Sequence, residues 1–251
     1  MTTDFEQLKQ NLTKLRLSNI RTNLDRLLDS PELQSVSLTE ALNILTKYEL
    51  EERKLNVRAQ RVHRAHFPYL KGFEEFDFNY QPNIDRTKVL ELRTLRFMDE
   101  AKNIILIGSP GVGKTHIATA IGLEAINHDK DVIFTTAQRM IQHLNGSEAR
   151  GTLEAALKKY RKVPLLIIDE IGFMPMDEES ANFFFQVINE RYEKAATIVT
   201  TNLPLSQWAD FMPDAQANAI LDRLVHHSVR IQIIGKSYRM MDYYRSQTRK
   251  D

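Results

Sequence analysis

The sequence predicts an α/β domain with a five-stranded parallel sheet between helices, preceded by a small all-helical domain. Two observations lead to this fold class. From Lys102 onward, short apolar runs alternate with segments of helical periodicity, which is typical of parallel strands joined by helices. Residues 1–70 instead place leucines at helical spacing, without a strand pattern between them. A chain of 251 residues is long enough for one α/β domain and a smaller appended domain.

The composition is that of an ordinary globular protein. The 42% of hydrophobic and 27% of charged residues argue against disorder, and the absence of cysteine excludes disulfides and thiolate metal sites. No apolar run approaches the roughly 18 residues that span a bilayer, and residues 1–10 contain no apolar signal core. We therefore expect a cytoplasmic protein with no membrane partner. The net charge of +1 does not by itself indicate nucleic-acid binding.

Two long helices are predicted for the N-terminal domain, residues 1–70, which we expect to bind DNA or a partner. Apolar residues recur at helical spacing over residues 4–30. A second helix begins at Ser37 or Thr39 and continues to about His66.

The second helix carries five basic residues on one side. The window between Glu52 and Glu74 contains no acidic residue, and at about 100° per residue the basic side chains project onto an arc of about 140°. A one-sided basic face is a candidate surface for DNA phosphates, whereas a solvated helix face is the alternative. The residues of this face are Arg53, Lys54, Arg58, Arg61 and Arg64.

Residues 71–101 are predicted to be a linker followed by a leading helix. Helical periodicity is lost at the start of this segment, and glycine, proline and aromatic residues appear. Phe76, Phe78 and Tyr80 alternate like a short edge strand, with core packing as one role and stacking near an adenine base as the other. The leading helix covers about residues 86–100.

Residues 104–115 carry the clearest functional pattern in the chain. Four apolar residues form a predicted strand, and the pattern G-x-x-x-x-G-K-[ST] follows directly. This pattern, residues 108–115, is that of a P-loop. In such a loop the backbone N–H groups surround nucleotide phosphates, the lysine reaches the β- and γ-phosphates, and the threonine hydroxyl is a ligand of the phosphate-bound Mg²⁺. The segment therefore predicts binding of ATP and Mg²⁺. The predicted nucleotide-binding residues are Gly108, Ser109, Pro110, Gly111, Val112, Gly113, Lys114, Thr115 and His116.

The α/β core, residues 102–251, is predicted to contain five strands with helices between them. One helix is expected to stop at Leu144, because Asn145-Gly146-Ser147 is typical of a break. The predicted strands are 103–108, 131–136, 164–169, 197–202 and 229–234, and the predicted helices are 114–127, 137–144, 152–160, 178–192 and 214–227.

Polar residues follow two of the predicted strands where each strand ends. Asp169 and Glu170 follow the apolar run 165–168, and Asn202 ends a later strand. Asp169 can hold Mg²⁺ and Glu170 can polarise the water that attacks the γ-phosphate, with a helix-capping acidic pair as the alternative. Asn202 would sense the γ-phosphate by hydrogen bonding if its strand lies between those of the P-loop and the acidic pair. A turn-capping asparagine is the alternative.

Two arginines late in the chain are candidates for contact with the γ-phosphate. Arg223 lies in a predicted helix remote from its own P-loop in the expected topology, and Arg239 follows the last strand. A cation supplied from outside, as an arginine finger, stabilises phosphoryl transfer strongly. Arg223 could act in this way only from a neighbouring subunit, so this role predicts an oligomer. A surface salt bridge, for example with Asp222, is the alternative.

In this order and spacing, the motifs resemble those of the AAA+ ATPases of the DnaC/IstB group. The chain is most similar to the IstB type, the ATP-dependent helper proteins of insertion-sequence transposases, over about residues 1–245. The motifs that carry the resemblance are 108–115, 165–170, 198–202, 220–224 and 235–239. The roles that it implies are Walker A for Lys114 and Thr115, Walker B for Asp169 and Glu170, sensor 1 for Asn202, a trans arginine finger for Arg223 and sensor 2 for Arg239.

The resemblance also implies a function and partners. It implies an ATP hydrolase that assembles head to tail on duplex DNA and delivers the DNA to an IstA-like transposase. A DnaC-like helicase loader, whose N-terminal helices contact a helicase, is the alternative. A metabolic P-loop kinase, monomeric and independent of DNA, is a second alternative from another class.

Two structural features are implied as well. Residues 235–251 are too few for the usual AAA+ helical lid, so we expect this lid to be largely absent. Helices within 137–160 would correspond to the insertion through which initiator-type ATPases can meet DNA, with merely solubilising lysines as the alternative. The basic residues of this region are Arg139, Arg150, Lys158, Lys159, Arg161 and Lys162, and Arg150 is included among the predicted DNA contacts.

Overall fold

A computed structural model describes residues 3–241, which form two compact units on either side of the junction between Gln60 and Arg61. The domain boundaries at residues 70 and 101 stay predictions. The predicted domain limits at residues 1 and 251 lie outside the described residues, as does the part of the lid prediction that concerns residues 242–251.

The first unit consists of four short helices and most of one long helix, with a small leucine-rich core. Leu12, Ile20 and Leu24 are buried together. The prediction of one continuous helix over residues 4–30 was wrong, because the chain turns where Arg16 adopts a left-handed conformation with φ +58°. These turns allow successive short helices to direct their apolar residues to one core. The helices are α1 Asp4–Lys14, α2 Ser18–Thr22, α3 Leu24–Leu28, α4 Pro31–Gln34 and α5 Leu38–Ala65, the last of which continues into the second unit.

The second unit is built on a five-stranded parallel sheet, which confirms the predicted fold class. The strands are β1 Asn103–Gly108, β2 Val132–Thr136, β3 Leu165–Ile171, β4 Ala196–Thr201 and β5 Ser228–Ile233. Their order is β2-β3-β4-β1-β5, so β4 lies between the strand that leads into the P-loop and the strand that carries the acidic pair. All strand pairs are parallel, so the carboxyl ends of all five strands meet at one edge.

Helices cover both faces of this sheet. One apolar layer lies between the sheet and α8, and the other lies between the sheet and helices α9 to α12. The helices of this unit are α6 Arg86–Glu91, α7 Arg96–Asp99, α8 Lys114–Asn127, α9 Ala137–Ala149, α10 Leu153–Lys162, α11 Glu178–Arg191 and α12 Asp214–His226. Short 3₁₀ helices cover Phe73–Glu75, Leu92–Thr94, Leu205–Asp210 and Tyr238–Met240.

Three local predictions in this unit were wrong. Helix α9 continues through the predicted break, because Leu144 and Ser147 are buried and the Ser147 hydroxyl donates to the carbonyl of His143 at 2.7 Å. The leading helix is interrupted at Leu95, where φ is +57°. The alternating aromatic residues at 76–80 form no strand within the described part of the chain, because Phe76 is buried beside the P-loop.

None of the helices in residues 3–241 is long and apolar enough to cross a membrane.

Candidate nucleotide-binding site

The P-loop lies at the carboxyl end of β1 and leads into α8, as the sequence predicts. Gly111 and Gly113 have φ of +81° and +103°, a region that other residues rarely adopt. A Cβ atom on Gly113 would lie 2.6 Å from Cε2 of Phe76, and one on Gly111 would collide with the hydroxyl of Ser237. Both glycines are therefore required by the backbone conformation and by close neighbours.

Lys114 is buried at the first position of α8. Its ammonium group donates hydrogen bonds to the carbonyl oxygens of Gly108 at 2.6 Å and Ser109 at 2.8 Å, both within the P-loop. Burial lowers the pKa of this lysine, and the negative charge of Asp169 opposes the shift. The ammonium group is thus held inside the loop by contacts that a bound phosphate can replace.

Asp169 is buried at the end of β3 and accepts hydrogen bonds from two threonine hydroxyls. Thr115 lies 3.1 and 3.0 Å from the two carboxylate oxygens, and Thr200 on β4 donates to Oδ1. Burial raises the pKa of Asp169, while the bonds from Thr200 and Thr115 and the charge of Lys114 oppose this effect. A buried carboxylate beside a hydroxyl is a set of hard oxygen donors that fits Mg²⁺.

Glu170 is exposed and adopts a left-handed conformation with φ +62°. The pairing of β3 with β4 shifts register between Ile168 and Ile171, so Glu170 lies in a bulge. Its main-chain N–H donates to the hydroxyl of Thr200 at 3.0 Å. The same threonine therefore bonds to both acidic residues, and the bulge directs the Glu170 side chain to the cavity beside the P-loop.

A cavity of about 240 Å³ lies between the P-loop, residues 69–81 and the segment after β5. The segment after β5 is attached to the P-loop, since the N–H of Tyr238 donates to the carbonyl of Gly111 at 2.9 Å. Arg239, in this segment, lines the cavity. Tyr69 lines it as well, and burial raises the pKa of its hydroxyl to about 12. The lining residues outside the P-loop are Tyr69, Lys71, Glu75, Phe76, Asp77, Gln81, Glu170, Phe173, Thr200, Tyr238 and Arg239.

Two residues predicted to contact the γ-phosphate, Asn202 and Arg223, do not line this cavity. Asn202 lies one residue beyond β4, and its buried Oδ1 atom has no hydrogen-bond partner among the described residues. Arg223 lies on α12, where its Nε donates to Oδ1 of Asn189 at 2.8 Å and its guanidinium lies over the ring of Phe185. The structure thus brings together the P-loop, the acidic pair and Arg239, and it places Arg223 elsewhere.

A family model, described as IstB-like ATP binding protein, matches residues 10–246 of the chain. The chain belongs to this family. It is 40% identical over 245 residues to the ATP-binding protein of insertion sequence IS232 from Bacillus thuringiensis subsp. berliner, covering 97% of this chain and 98% of that protein. It is 37% identical over 239 residues to the ATP-binding protein of insertion sequence IS21 from Pseudomonas aeruginosa, covering 95% of this chain and 90% of that protein.

Solved structures show the AAA+ fold of this IstB-like chain. DnaI superposes with a TM-score of 0.56 at 24% identity, covering 65% of this chain and 90% of that chain. The DnaA protein of Aquifex aeolicus, solved with bound AMPPCP, superposes with a TM-score of 0.56 at 23% identity, covering 67% of this chain and 51% of that chain. At these identities the similarity concerns the fold alone.

The basic residues predicted to contact DNA have different surroundings in this IstB-like protein. Arg53 donates to Oε1 of Glu49 at 3.0 Å. Arg61 is paired with two aspartates, and Nη2 of Arg64 lies 3.8 Å from Oδ1 of Asp131. Much of the predicted basic face is therefore partly neutralised by neighbouring carboxylates. The remaining predicted DNA contacts, Lys54, Arg58 and Arg150, are exposed.

Several residues of the cavity were not predicted from the sequence, Phe173 and Tyr238 among them. Most residues of the wall at 69–81 were not assigned to the site, and the aromatic cluster in this segment was the available signal. Phe76 packs beside His116 with ring centroids 5.3 Å apart. Thr200 was also missed. Threonine is common in β-strands, so its presence in an apolar strand does not indicate a functional site.

Proposed function

We propose that this IstB-like protein is a Mg²⁺-dependent ATP hydrolase that assembles head to tail on duplex DNA and assists a transposase. The observation that carries the hydrolase proposal is the convergence of Lys114, Thr115, Asp169 and Glu170 at one edge of the sheet, beside a cavity. Membership in a family of insertion-sequence ATP-binding proteins supports the transposition role.

Each residue of the site has a distinct role in this proposal. Lys114 exchanges its bonds to the P-loop carbonyls for bonds to the β- and γ-phosphates, and Arg239 approaches the γ-phosphate from the segment after β5. Thr115 and Asp169 would hold Mg²⁺, which neutralises phosphate charge when bound. Glu170 orients and polarises the attacking water from its bulge at the end of β3. Asn202 is proposed to sense the γ-phosphate from its position after β4.

The trans arginine finger is assigned to Arg223. This arginine does not line the cavity of its own chain, so a contact with γ-phosphate requires a second subunit. Its guanidinium is held on the surface of α12 by Asn189 and by the carbonyl of Ala219 at 2.9 Å. Each subunit would present its arginine finger to one neighbour and its P-loop to the other. Such a head-to-tail contact propagates into a ring or a spiral. Hydrolysis removes the γ-phosphate and with it this contact, so it acts as a timer for disassembly.

We assign DNA contact to a basic groove formed by Arg64, Lys159 and Lys162. These residues come from the end of α5 and from α10, and they line a cavity of about 400 Å³ beside β2, together with His66 and Asp131. Side chains from two segments that are distant in sequence bring three positive charges to one groove, where they can contact DNA phosphates.

The assembly proposal is tested by measuring particle mass for the Glu170→Gln variant with ATP and Mg²⁺. Three samples are compared, without DNA, with single-stranded DNA and with a duplex of about 50 base pairs, long enough for half-sites several helical turns apart. Large particles only with duplex would support the transposition helper. Particles only with single strands, or only after a helicase is added, would instead favour the DnaC-like loader. Adding Arg223→Ala should abolish the large particles without loss of ATP binding by the subunit.

The DNA contact is tested by the salt dependence of duplex binding. Reversing the charge of Arg64, Lys159 and Lys162 should weaken binding and reduce the salt slope by about 0.9 for each phosphate that the variant no longer neutralises. Arg61 is left unchanged, because its guanidinium is already paired with two carboxylates, those of Asp129 and Asp131. Arg96→Glu on the exposed surface is the control for a charge reversal outside the groove. An unchanged slope in the triple variant would refute the groove.

A further inference from the structure

A second cluster of polar side chains lies at the opposite edge of the sheet from the P-loop. Glu193 follows α11, and His226 and His227 stand at the end of α12, immediately before β5. The Nε2 atom of His227 lies 3.3 Å from Oε1 of Glu193, and Nδ1 of His226 lies 3.9 Å from the same oxygen. One donor atom from each residue lies within 4.8 Å of the other two.

We propose that Glu193, His226 and His227 bind a divalent transition-metal cation of the zinc class. Two imidazoles and one carboxylate are a donor set that Zn²⁺ uses where it keeps an open fourth position. Bond lengths of about 2.0 to 2.2 Å place tetrahedral ligand atoms about 3.3 to 3.6 Å apart. The His227 to Glu193 distance of 3.3 Å has this value, and the His226 to Glu193 distance of 3.9 Å would shorten when the ion binds. All three residues are exposed, so a hydrated ion can reach them and retain a water ligand.

Buried hydrogen bonds fix the backbone on the histidine side of this cluster. The N–H of Asn103 donates to the carbonyl of His227 at 2.7 Å, which anchors the residue between α12 and β5. The amide nitrogen of the Asn103 side chain donates to the carbonyls of Arg223 and Leu224 at 3.4 and 3.3 Å, and its oxygen accepts from the N–H of Thr197 at 3.1 Å. The histidines therefore stand on a backbone that is ordered before any ion binds.

Hydrogen bonds also fix the backbone around Glu193. The N–H groups of Lys194 and Ala195 donate to the carbonyl of Arg191 at 3.0 and 3.1 Å, and the buried Arg191 guanidinium donates to the carbonyl of Ala196. Glu193 itself has φ +55°, a left-handed conformation that is costly for a residue with a side chain. A ligand set held on rigid backbone binds with less loss of conformational entropy.

Tyr192 contacts one of the proposed ligand atoms. Its hydroxyl lies 2.7 Å from Nδ1 of His226. When the hydroxyl donates to Nδ1, the imidazole is neutral and carries a lone pair on that atom, which is the form that a metal requires. The tyrosine then competes with the metal for the lone pair. Tyr192→Phe should therefore bind the ion at least as tightly as the wild type.

The proposal is tested on tag-free, full-length protein that has been stripped of metal. Calorimetric titration with Zn²⁺ should show one site per chain, and Co²⁺ should give the absorption spectrum of a tetrahedral site. Loss of a supporting residue alone costs metal sites about 10- to 100-fold in affinity, so Glu193→Gln, His226→Ala and His227→Ala should each cost at least tenfold. Bound Zn²⁺ should also raise the thermal unfolding midpoint of the wild type more than that of the three ligand variants.

His128→Ala provides the matched control. His128 is also exposed, and its Nδ1 lies 3.8 Å from Oε1 of Glu124, but no third donor completes a cluster there among the described residues. This variant should bind Zn²⁺ as the wild type does. Equal affinity in the wild type and in all three ligand variants would overturn the proposal, as would an equal loss in His128→Ala. Unfolding curves recorded without metal establish that each variant is folded.

Discussion

The two edges of the sheet use buried polar residues in opposite ways. At the carboxyl ends of the strands, Lys114 bonds to carbonyls of its own loop, Asp169 bonds to hydroxyls, and Oδ1 of Asn202 has no partner within residues 3–241. At the amino ends, Arg191 and Asn103 direct their polar side-chain atoms to main-chain groups of neighbouring elements, apart from Nε of Arg191, which donates to the hydroxyl of Thr197. A ligand can replace the contacts at the carboxyl ends of the strands, whereas the contacts at the amino ends join strands and helices of the fold to one another.

This difference separates the polar groups that act on a ligand from those that hold the structure. A group held by exchangeable contacts should be replaceable with little loss of stability and a large loss of function. A group that satisfies several buried carbonyls should behave in the reverse way, because its removal leaves those carbonyls unpaired. Four substitutions test this distinction.

Glu170→Gln is expected to have the largest effect. The substitution keeps the size of the side chain and removes the charge that polarises the attacking water, so ATP turnover should fall by about 10²- to 10⁴-fold. ATP affinity and the free energy of unfolding should change little, since the side chain is exposed. Steady-state hydrolysis and nucleotide titration measure the two quantities. Glu178→Gln on α11 is the control, and wild-type turnover in Glu170→Gln would exclude this residue from catalysis.

Arg191→Met should reduce stability most among the four. The guanidinium is buried and donates to the carbonyls of Tyr160 at 2.7 Å and Val163 at 2.8 Å, and to further groups at the start of β4. Burial lowers its pKa to about 9, so it remains charged at neutral pH. Leaving several carbonyls unpaired should lower the free energy of unfolding by about 3 to 5 kcal/mol, measured by urea denaturation. Arg161→Met, which breaks only partly exposed ion pairs, should cost less than about 1 kcal/mol.

Lys114→Ala should weaken nucleotide binding while the fold persists. The lysine supplies charge-assisted bonds to the phosphates, so ATP affinity should fall by about 100-fold or more. Stability without nucleotide should change little, because Gly108 is only half-buried and Ser109 is exposed, so water can take the place of the ammonium group at their carbonyls. Titration with a fluorescent ATP analogue measures the affinity, and Lys130→Ala is the control. Unchanged affinity would contradict the assignment of the P-loop.

The sequence was enough to predict a strand or helix where its pattern of apolar residues and glycines matches the residues that are buried in the fold. The limits of β1 and α8 match the predicted ranges, because an apolar strand, a glycine loop and an inward face at Ile117 and Ile121 all indicate the same structure. The break predicted at residues 145–147 failed, because burial of neighbouring residues outweighs the local preference of asparagine and glycine.

The cavity wall at residues 69–81 could not be predicted for a different reason. Its position depends on contacts between parts of the chain that are distant in sequence, such as the bond from the Tyr80 hydroxyl to the carbonyl of Ser237 at 3.1 Å. The same holds for Arg191 and Asn103, whose partners come from several elements. The P-loop and the acidic pair were found because their chemistry depends on local spacing.

Thr200→Val should have the smallest of the four effects, and it tests whether one strand residue organises both acidic groups. The valine keeps the shape but removes the donor to Asp169 and the acceptor for the N–H of Glu170, so turnover should fall about tenfold. Thr200→Ser should restore it. Thr119→Val is the matched control, because the buried Thr119 hydroxyl has no partner in the described part of the chain and its loss should be neutral. Equal turnover in both valine variants would show that the Thr200 hydroxyl does not position the acidic pair.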